Sequence, residues 1–318
     1  MKAFLFDAAV RKCVHTDVPV PTPDDGQVRI RVVACGICRT DLHIVDSEIP
    51  AQKARVVLGH QIVGVVDALG GEGSGSEMSG DARALRVGDR VGVPWLGWAC
   101  GTCRFCQSGQ ENLCDRAEFT GYHRDGGLAE YAVADARFVV RVPDAYEAVA
   151  AAPLLCAGLI GYRAFRMAKP ASVLGLYGFG AAAHIIIQIA RRQGCRVLAF
   201  TRPGDHRSQE LARGLGASWA GDSSARPPED LDAALVFAPV GELVPVALSA
   251  LRKGGKVVCA GIHMSDIPSF PYHLLWGERS VMSVANLTRC DAQELMALAE
   301  GVRIETSVHV YPLSGAKE

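Results

Sequence analysis

Short apolar runs separated by turn residues fill the first 142 positions, and apolar runs that switch between strand and helix period fill much of the remaining chain. Phe4, Val14, Val28 to Val33, Ile62 to Val66 and Val87 to Val93 are β-branched or apolar stretches. Pro19, Pro21, Pro23, Asp24, Asp25 and Gly26 punctuate the early ones, and Gly88-Asp89 turns the last. Proline cannot donate to a strand ladder, and Gly and Asp accept turn backbones, so the pattern predicts short strands joined by turns. Gly70 to Gly80, rich in Gly and Ser with little to bury, predicts a flexible surface loop. Near Pro143 the texture changes. Ala148 to Met167 is rich in Ala and Leu and predicts a helix broken around Pro153 to Gly158. Beyond it, strands at Val173 to Tyr177, Arg196 to Phe200, Ala233 to Phe237 and Lys256 to Ala260 alternate with helices at Ala181 to Gln193, His206 to Leu215 and Leu243 to Leu251. A strand-helix alternation of this kind predicts a parallel, doubly wound sheet with helices on both faces. The expected fold class is therefore α/β, with a mostly β amino-terminal half and no internal repeat.

A length of 318 residues fits roughly two domains. Thirty-three basic against 34 acidic side chains leave a net charge of −1, and no Lys/Arg block supplies a local footprint for nucleic acid. Met1 to Val10 lacks the basic start and apolar run of a secretory signal, and Ala148 to Ile160 is too short to span a bilayer. Neither a membrane nor a nucleic acid is expected as a partner, and a soluble cytoplasmic chain is. In a reducing compartment, eleven cysteines point to metal binding or catalysis rather than disulfides.

Cys100, Cys103, Cys106 and Cys114 place four thiols within fifteen residues. Four thiolates at such spacing can close a tetrahedron around Zn²⁺ that leaves no position for water, which is a structural site. A second set is scattered. Cys35-Gly-Ile-Cys38-Arg-Thr40-Asp41-Leu-His43, then Gly59-His60-Gln61, and Leu154-Leu-Cys156-Ala-Gly158 stand in order around the four-cysteine lobe. The Cys35-x-x-Cys38 pair also reads as a redox dithiol, but no strand-helix-strand setting accompanies it. Taken together with the lobe, these motifs resemble the zinc-dependent alcohol dehydrogenases of the medium-chain dehydrogenase/reductase superfamily.

The resemblance implies a GroES-like zinc-binding catalytic domain over residues 1–150, with 289–318 returning to it, and a Rossmann dinucleotide-binding domain over 151–288. It implies two zinc ions per chain: a structural one in the lobe, and a catalytic one on Cys38, His60 and Cys156 with its fourth position open. Asp41 then orients the ligand imidazole, Thr40 is the hydroxyl of a proton relay, and His43 is its solvent end. Trp95 and Leu96 fall where relatives contact substrate and imply an apolar, bulky wall. A homo-oligomer, dimer or tetramer, is implied, associating near Val281 to Asn286.

Leu174-Gly175-Leu-Tyr177-Gly178-Phe179-Gly180-Ala181-Ala-Ala183 follows a predicted strand and opens a predicted helix, so Gly175, Gly178, Phe179, Gly180 and Ala181 are candidate cofactor contacts. At the end of the next strand stand Thr201 and Arg202, where NAD-selective relatives carry a carboxylate. Its absence, with Arg202, His206 and Arg207 nearby, favours NADP(H) or use of both NADP and NAD. Gly261 and Ile262, with His263 and Ser283 to Leu287, fall at the nicotinamide side.

The expected reaction is hydride transfer between an alcohol and NAD(P)⁺, giving aldehyde or ketone, with a small-molecule alcohol or aldehyde as partner. Two alternatives stay open. A polyol or sugar dehydrogenase shares much of the metal pattern. A zinc- and nucleotide-binding protein of impaired turnover would follow from Gln61, which stands where relatives carry glutamate, and from a carboxyl end shorter than the family's, which omits the late arginine that in relatives supports the aspartate matching Asp41.

Overall fold

The computed structural model describes residues 1–71 and 84–316, so most of the Gly70 to Gly80 stretch lies outside the described residues. Two compact units divide the chain: Met1–Cys156 with Asn286–Gly301 and the described part of 305–318, and Ala157–Ala285 with Val302–Ile304. The break falls at Cys156 rather than at 150, which keeps Cys156 in the same unit as Cys38 and His60.

The first unit is built from antiparallel strands. β1 (Lys2–Asp7), β2 (Lys12–Asp17), β3 (Gln27–Gly36), helix α1 (Arg39–Val45), β4 (Arg55–Val57), β5 (Gln61–Leu69), β6 (Arg90–Val93) and β7 (Leu96–Trp98) lead to helix α2 (Arg104–Gln107). β8 (Glu118–Phe119), β9 (Tyr131–Asp135) and β10 (Val140–Arg141) follow. They form sheets ordered β2-β1-β4 and β10-β6-β5-β3-β9, and the pair β7-β8. Alternation explains the larger sheet: Val28 and Ile30 of β3, Ile62 and Val66 of β5, and Val91 and Val93 of β6 turn to one core with Ala132 and Ala134, while Arg31 and Val33 stay exposed. Val87 is exposed and precedes β6, so the strand is shorter than its apolar pattern suggests.

The predicted break in the long Ala-rich stretch is real. Helix α3 (Ala148–Ala151) passes into a 3₁₀ turn over Ala152–Leu155, and α4 (Ala157–Ala168) starts after Cys156. Pro153 has no amide hydrogen to donate, which limits it to the start of a helical turn.

In the second unit, β11 (Val173–Tyr177), α5 (Ala181–Arg192), β12 (Arg196–Thr201), α6 (His206–Gly214), β13 (Trp219–Asp222), β14 (Leu231–Val236), α7 (Leu243–Ser249), β15 (Leu251–Cys259) and β16 (Ser280–Ser283) alternate. All six strands are parallel in the order β13-β12-β11-β14-β15-β16, the doubly wound order with its switch point beside the first strand. Ile185, Ile186, Ile187 and Ile189 of α5 are buried, and Arg191 and Arg192 sit in its last turn, where cations suit the carbonyl end of the helix dipole. Helix α8 (Arg289–Gly301) belongs to the first unit, and Val308, Val310 and Tyr311 beyond it are exposed and form no strand. Among the described residues no single helix is long and apolar enough to cross a membrane.

Candidate active site

Three short stretches far apart in sequence meet in the first unit. Pairing of Gly36 with Gln61 sets the end of β3 beside the start of β5, so the turn after β3 brings Cys38 next to His60. Cys38 Sγ lies 3.2 Å from His60 Nε2 and 3.9 Å from Cys156 Sγ, and the three donor atoms all lie within 4.8 Å of one another.

Local backbone chemistry fixes this geometry. Cys38 is the N-cap of α1: its sulfur accepts the Thr40 amide at 3.3 Å, and its own amide donates to Asp41 Oδ2 at 2.9 Å. The other Asp41 oxygen accepts the Gly59 amide at 3.2 Å and stands 3.3 Å from His60 Nδ1, without hydrogen-bond alignment. One carboxylate therefore ties the helix start to the histidine turn. That turn needs glycine, because Gly59 has φ +94° and a Cβ there would sit 2.6 Å from Cys35 Sγ.

The electrostatics favour a cation among these donors. Cys38 is pulled down to about 4 by the Cys156 thiol donating to it and then by His60, against burial. Cys156 is pushed well up by the Cys38 sulfur and by burial. Burial raises Asp41, but His60 and the amides of Cys38 and Gly59 outweigh it, and the carboxyl ends below its ordinary value. Burial lowers His60, yet Asp41 and Cys38 drive it up to about 10. A fully buried imidazole that holds a proton at neutral pH between two anions supplies the positive charge the pocket calls for. Two sulfurs and one nitrogen are also a proper donor set for zinc with an open position, and with the ion bound the ring would be neutral.

Thr40 and His43 are buried on α1, and His43 Nδ1 pairs with Glu48 Oε2. The resemblance puts His43 at the solvent end of its relay; in the structure His43 is buried, and the side chain of its partner Glu48 is 47% exposed. Nothing in the local sequence marks Glu48, which follows α1 in a loop. Trp95 and His60 meet in a T-shaped contact with ring centroids 4.8 Å apart, and Trp95 stacks on Phe119 at 5.1 Å. Leu96 does not join it. Leu96, the first residue of β7, is fully buried and lines a small cavity with Phe138, Val140, Leu287 and Ala292. Gln61 is buried with its side chain against Gly36.

The second cysteine cluster is local. Cys103 Sγ and Cys100 Sγ lie 3.6 and 3.8 Å from Cys106 Sγ, and Cys114 completes a set of four within 4.8 Å. Cys100 is drawn down to about 5, first by the amide and hydroxyl of Thr102 and by the Cys103 amide, with Arg116 adding to this. Burial and the neighbouring sulfurs push Cys106 up to about 12. A single ion held by all four would resolve this uneven sharing of protons. Next to the lobe, buried Glu111 accepts the Arg289 amide at 2.8 Å and its Nε at 3.1 Å at the start of α8.

In the second unit, Gly178 at φ +88° ends β11, and a Cβ there would meet the Ala238 nitrogen at 2.8 Å. Gly180 caps α5, and nothing lies within 4 Å of its Cβ position, so backbone amides at this helix start are open to a phosphate. Phe179 is buried and Ala181 exposed. Gly175 lies inside β11, paired with Leu198 and Ala234, and a Cβ there would strike Leu231 at 2.6 Å. Thr201 is buried, accepts Gln209 Nε2 at 3.1 Å and donates to the Arg202 carbonyl at 3.1 Å, whereas Arg202 is exposed. Gly261 approaches the Ala238 carbonyl, and Ile262 is exposed.

A soft three-donor metal cluster in a β-rich unit, joined to a doubly wound sheet with a phosphate-binding helix start, defines a metal- and dinucleotide-dependent oxidoreductase. Residues 24–144 match the alcohol dehydrogenase GroES-like domain, and residues 181–301 match the zinc-binding dehydrogenase family. The chain belongs to the zinc-type medium-chain dehydrogenase/reductase family and is an alcohol oxidoreductase using zinc and NAD or NADP. It is 44% identical over 309 residues to "Probable alcohol dehydrogenase AdhA" of Mycobacterium tuberculosis, spanning 95% of this chain and 86% of that protein. Among solved structures, a cinnamyl alcohol dehydrogenase of Sorghum bicolor is 27% identical with a TM-score of 0.83, covering 98% of this chain and 90% of its own. Acetophenone reductase from Geotrichum candidum, in complex with NAD, is 26% identical with a TM-score of 0.83 over the same shares, 98% and 90%.

Proposed function

We propose that the cluster of Cys38, His60 and Cys156 is the catalytic centre, and that its substrates are apolar, ring-bearing primary or secondary alcohols and the matching aldehydes or ketones. The observation that carries this reading is the Trp95 ring in T-shaped contact with His60, an aromatic wall beside the donor set. The aromatic substrates named for the sorghum and Geotrichum enzymes support it. A polyhydroxylated substrate would need hydrogen-bonding side chains where this wall stands.

When bound, zinc supplies a Lewis acid toward the substrate oxygen, and the nicotinamide exchanges the hydride. Asp41 holds the His60 ring in place, so that Nε2 faces the Cys38 sulfur. Cys38 stays a thiolate at neutral pH. The Thr40 hydroxyl starts the path of the alcohol proton toward the cofactor ribose and His43, whose ring Glu48 anchors through Nδ1, leaving Nε2 outside that pair. Cys100, Cys103, Cys106 and Cys114 hold a structural zinc.

For the cofactor, exposed Arg202 and the missing carboxylate at the end of β12 support acceptance of a 2′-phosphate. The free edge of β16, with the exposed Tyr272 and Trp276 nearby, supports a homo-oligomer. A steady-state panel of ethanol, benzyl alcohol, cinnamyl alcohol and a sugar alcohol with each cofactor tests these readings. Preference for the sugar alcohol would overturn the substrate class, and efficiency more than about tenfold higher with NAD would overturn the NADP preference.

A further inference from the structure

Trp95 does not stand alone beside His60. It closes a ring of four aromatic side chains: Trp95 stacks on Phe119, Phe119 meets His123 at 5.3 Å, His123 meets Tyr122 edge-on at 4.6 Å, and Tyr122 stacks back on Trp95 at 5.8 Å. The His123 ring is held by the Phe119 amide, which donates to its Nδ1 at 3.3 Å. Tyr122 is 9% exposed, and its hydroxyl leaves the ring to donate to the Pro50 carbonyl and accept Gln52 Nε2 at 3.1 Å.

Pro50 and Gln52 belong to the loop between α1 and β4. Its first part is tied to α1, because the amides of Glu48 and Ile49 donate to the His43 carbonyl at 2.9 and 3.4 Å. Its far part is tied by Lys53 to Asp125 at 2.7 Å. Between these ties, Ile49 packs on the same core as Trp95, Phe119 and Tyr122. The Tyr122 hydroxyl thus joins the middle of this loop to the aromatic ring. Stacking alone would need only a phenyl group; a buried ring with its polar tip doubly engaged is the signature of a phenol used as an anchor.

We propose that Tyr122 is a positioning residue for substrate selection: its hydroxyl clamps the Pro50–Gln52 segment onto the aromatic ring and so holds Trp95 in place beside His60. The inference rests on the reading of Trp95 as the substrate wall. Loosening the clamp lets the loop and the indole shift, which weakens binding of an alcohol that fills the pocket more than binding of a small one.

The test compares kcat/KM for benzyl alcohol with kcat/KM for ethanol in the zinc-loaded full chain, for the native protein, Tyr122→Phe, Gln52→Ala and Trp95→Ala. Tyr122→Phe keeps the stacking ring and drops the clamp. It should lower the benzyl-to-ethanol ratio about two- to tenfold, the span of one neutral hydrogen bond, with the loss in KM for benzyl alcohol rather than in kcat. Gln52→Ala should move the ratio the same way by less. If Trp95→Ala shifts the ratio but Tyr122→Phe does not, the clamp is overturned and the wall stands. If Trp95→Ala leaves the ratio unchanged, the wall reading fails and the clamp with it. Equal losses in kcat for both alcohols would mark Tyr122 as merely structural. Should Tyr122→Phe fail to fold, an unchanged ratio in Gln52→Ala overturns the proposal.

Discussion

Replacing Asp41 with asparagine isolates the work of one carboxylate. The side chain keeps its size but only one acceptor oxygen, so one of the two bonds, from the Cys38 amide that starts α1 or from the Gly59 amide, can persist while the other amide meets the NH2 group. The negative charge 3.3 Å from His60 Nδ1 is lost. Against a protonated ring at that 3.3 Å separation, Coulomb's law at an effective dielectric of 20 gives about 5 kcal/mol. With zinc bound the ring is neutral and the loss is smaller; a carboxylate behind a ligand histidine is worth about 10- to 100-fold in metal affinity, or about 1.4–2.7 kcal/mol. Competition with a chromophoric chelator on protein carrying two zincs should therefore show the Cys38/His60/Cys156 site weakened by that factor, and the four-cysteine site unchanged. Equal affinity at the first site, within twofold, would refute the role given to Asp41; equal weakening of both sites would show general unfolding instead.

Other outcomes depend on particular atoms. The Tyr177 hydroxyl is buried without a hydrogen-bond partner, although its ring stacks on Phe200 at 4.1 Å, so Tyr177→Phe should leave folding intact and raise stability by about 1 kcal/mol in urea titration. Glu111→Ala removes the acceptor of the Arg289 amide and guanidinium at the start of α8, and should cost about 1–3 kcal/mol in the same titration. In metal-free protein Cys38 keeps its thiolate form down to pH of about 4, while burial pushes Cys35 up and Cys13 up to about 11. Iodoacetamide at pH 6, read by mass spectrometry, should therefore label Cys38 ahead of Cys35 and Cys13.

Local signals carry much of this structure. Four cysteines within fifteen residues close into one cluster because a short helix and a 3₁₀ turn suffice to bring them together. The strand, turn and helix around Gly178 and Gly180 are likewise contiguous. The strands β13 and β16 leave little trace in the sequence because four residues each, Trp219–Asp222 and Ser280–Ser283, show no sustained apolar pattern. The second donor set is different in kind, for no periodicity joins Cys38 to a cysteine 118 positions away; family resemblance points to it, and pairing of β3 with β5 explains half of it. Motif proximity does not show burial: Leu96 and Gly175 both lie within strands and are fully enclosed by the first and second units respectively. Glu48, Glu111 and Tyr122 are invisible in the sequence because each acts through a partner that only the fold brings near.

The most direct test of the central claim is zinc content measured together with alcohol-dependent reduction of NAD(P)⁺ in the native chain and in Cys38→Ser. The native chain should hold two zincs and turn over; Cys38→Ser should keep the zinc of the four-cysteine lobe, lose or loosen the other, and lose turnover by about a thousandfold or more, the scale of several kcal/mol of transition-state stabilisation from the metal. A Cys38→Ser protein with two tightly held zincs and an undiminished rate would contradict the assignment of Cys38, His60 and Cys156 as the catalytic centre.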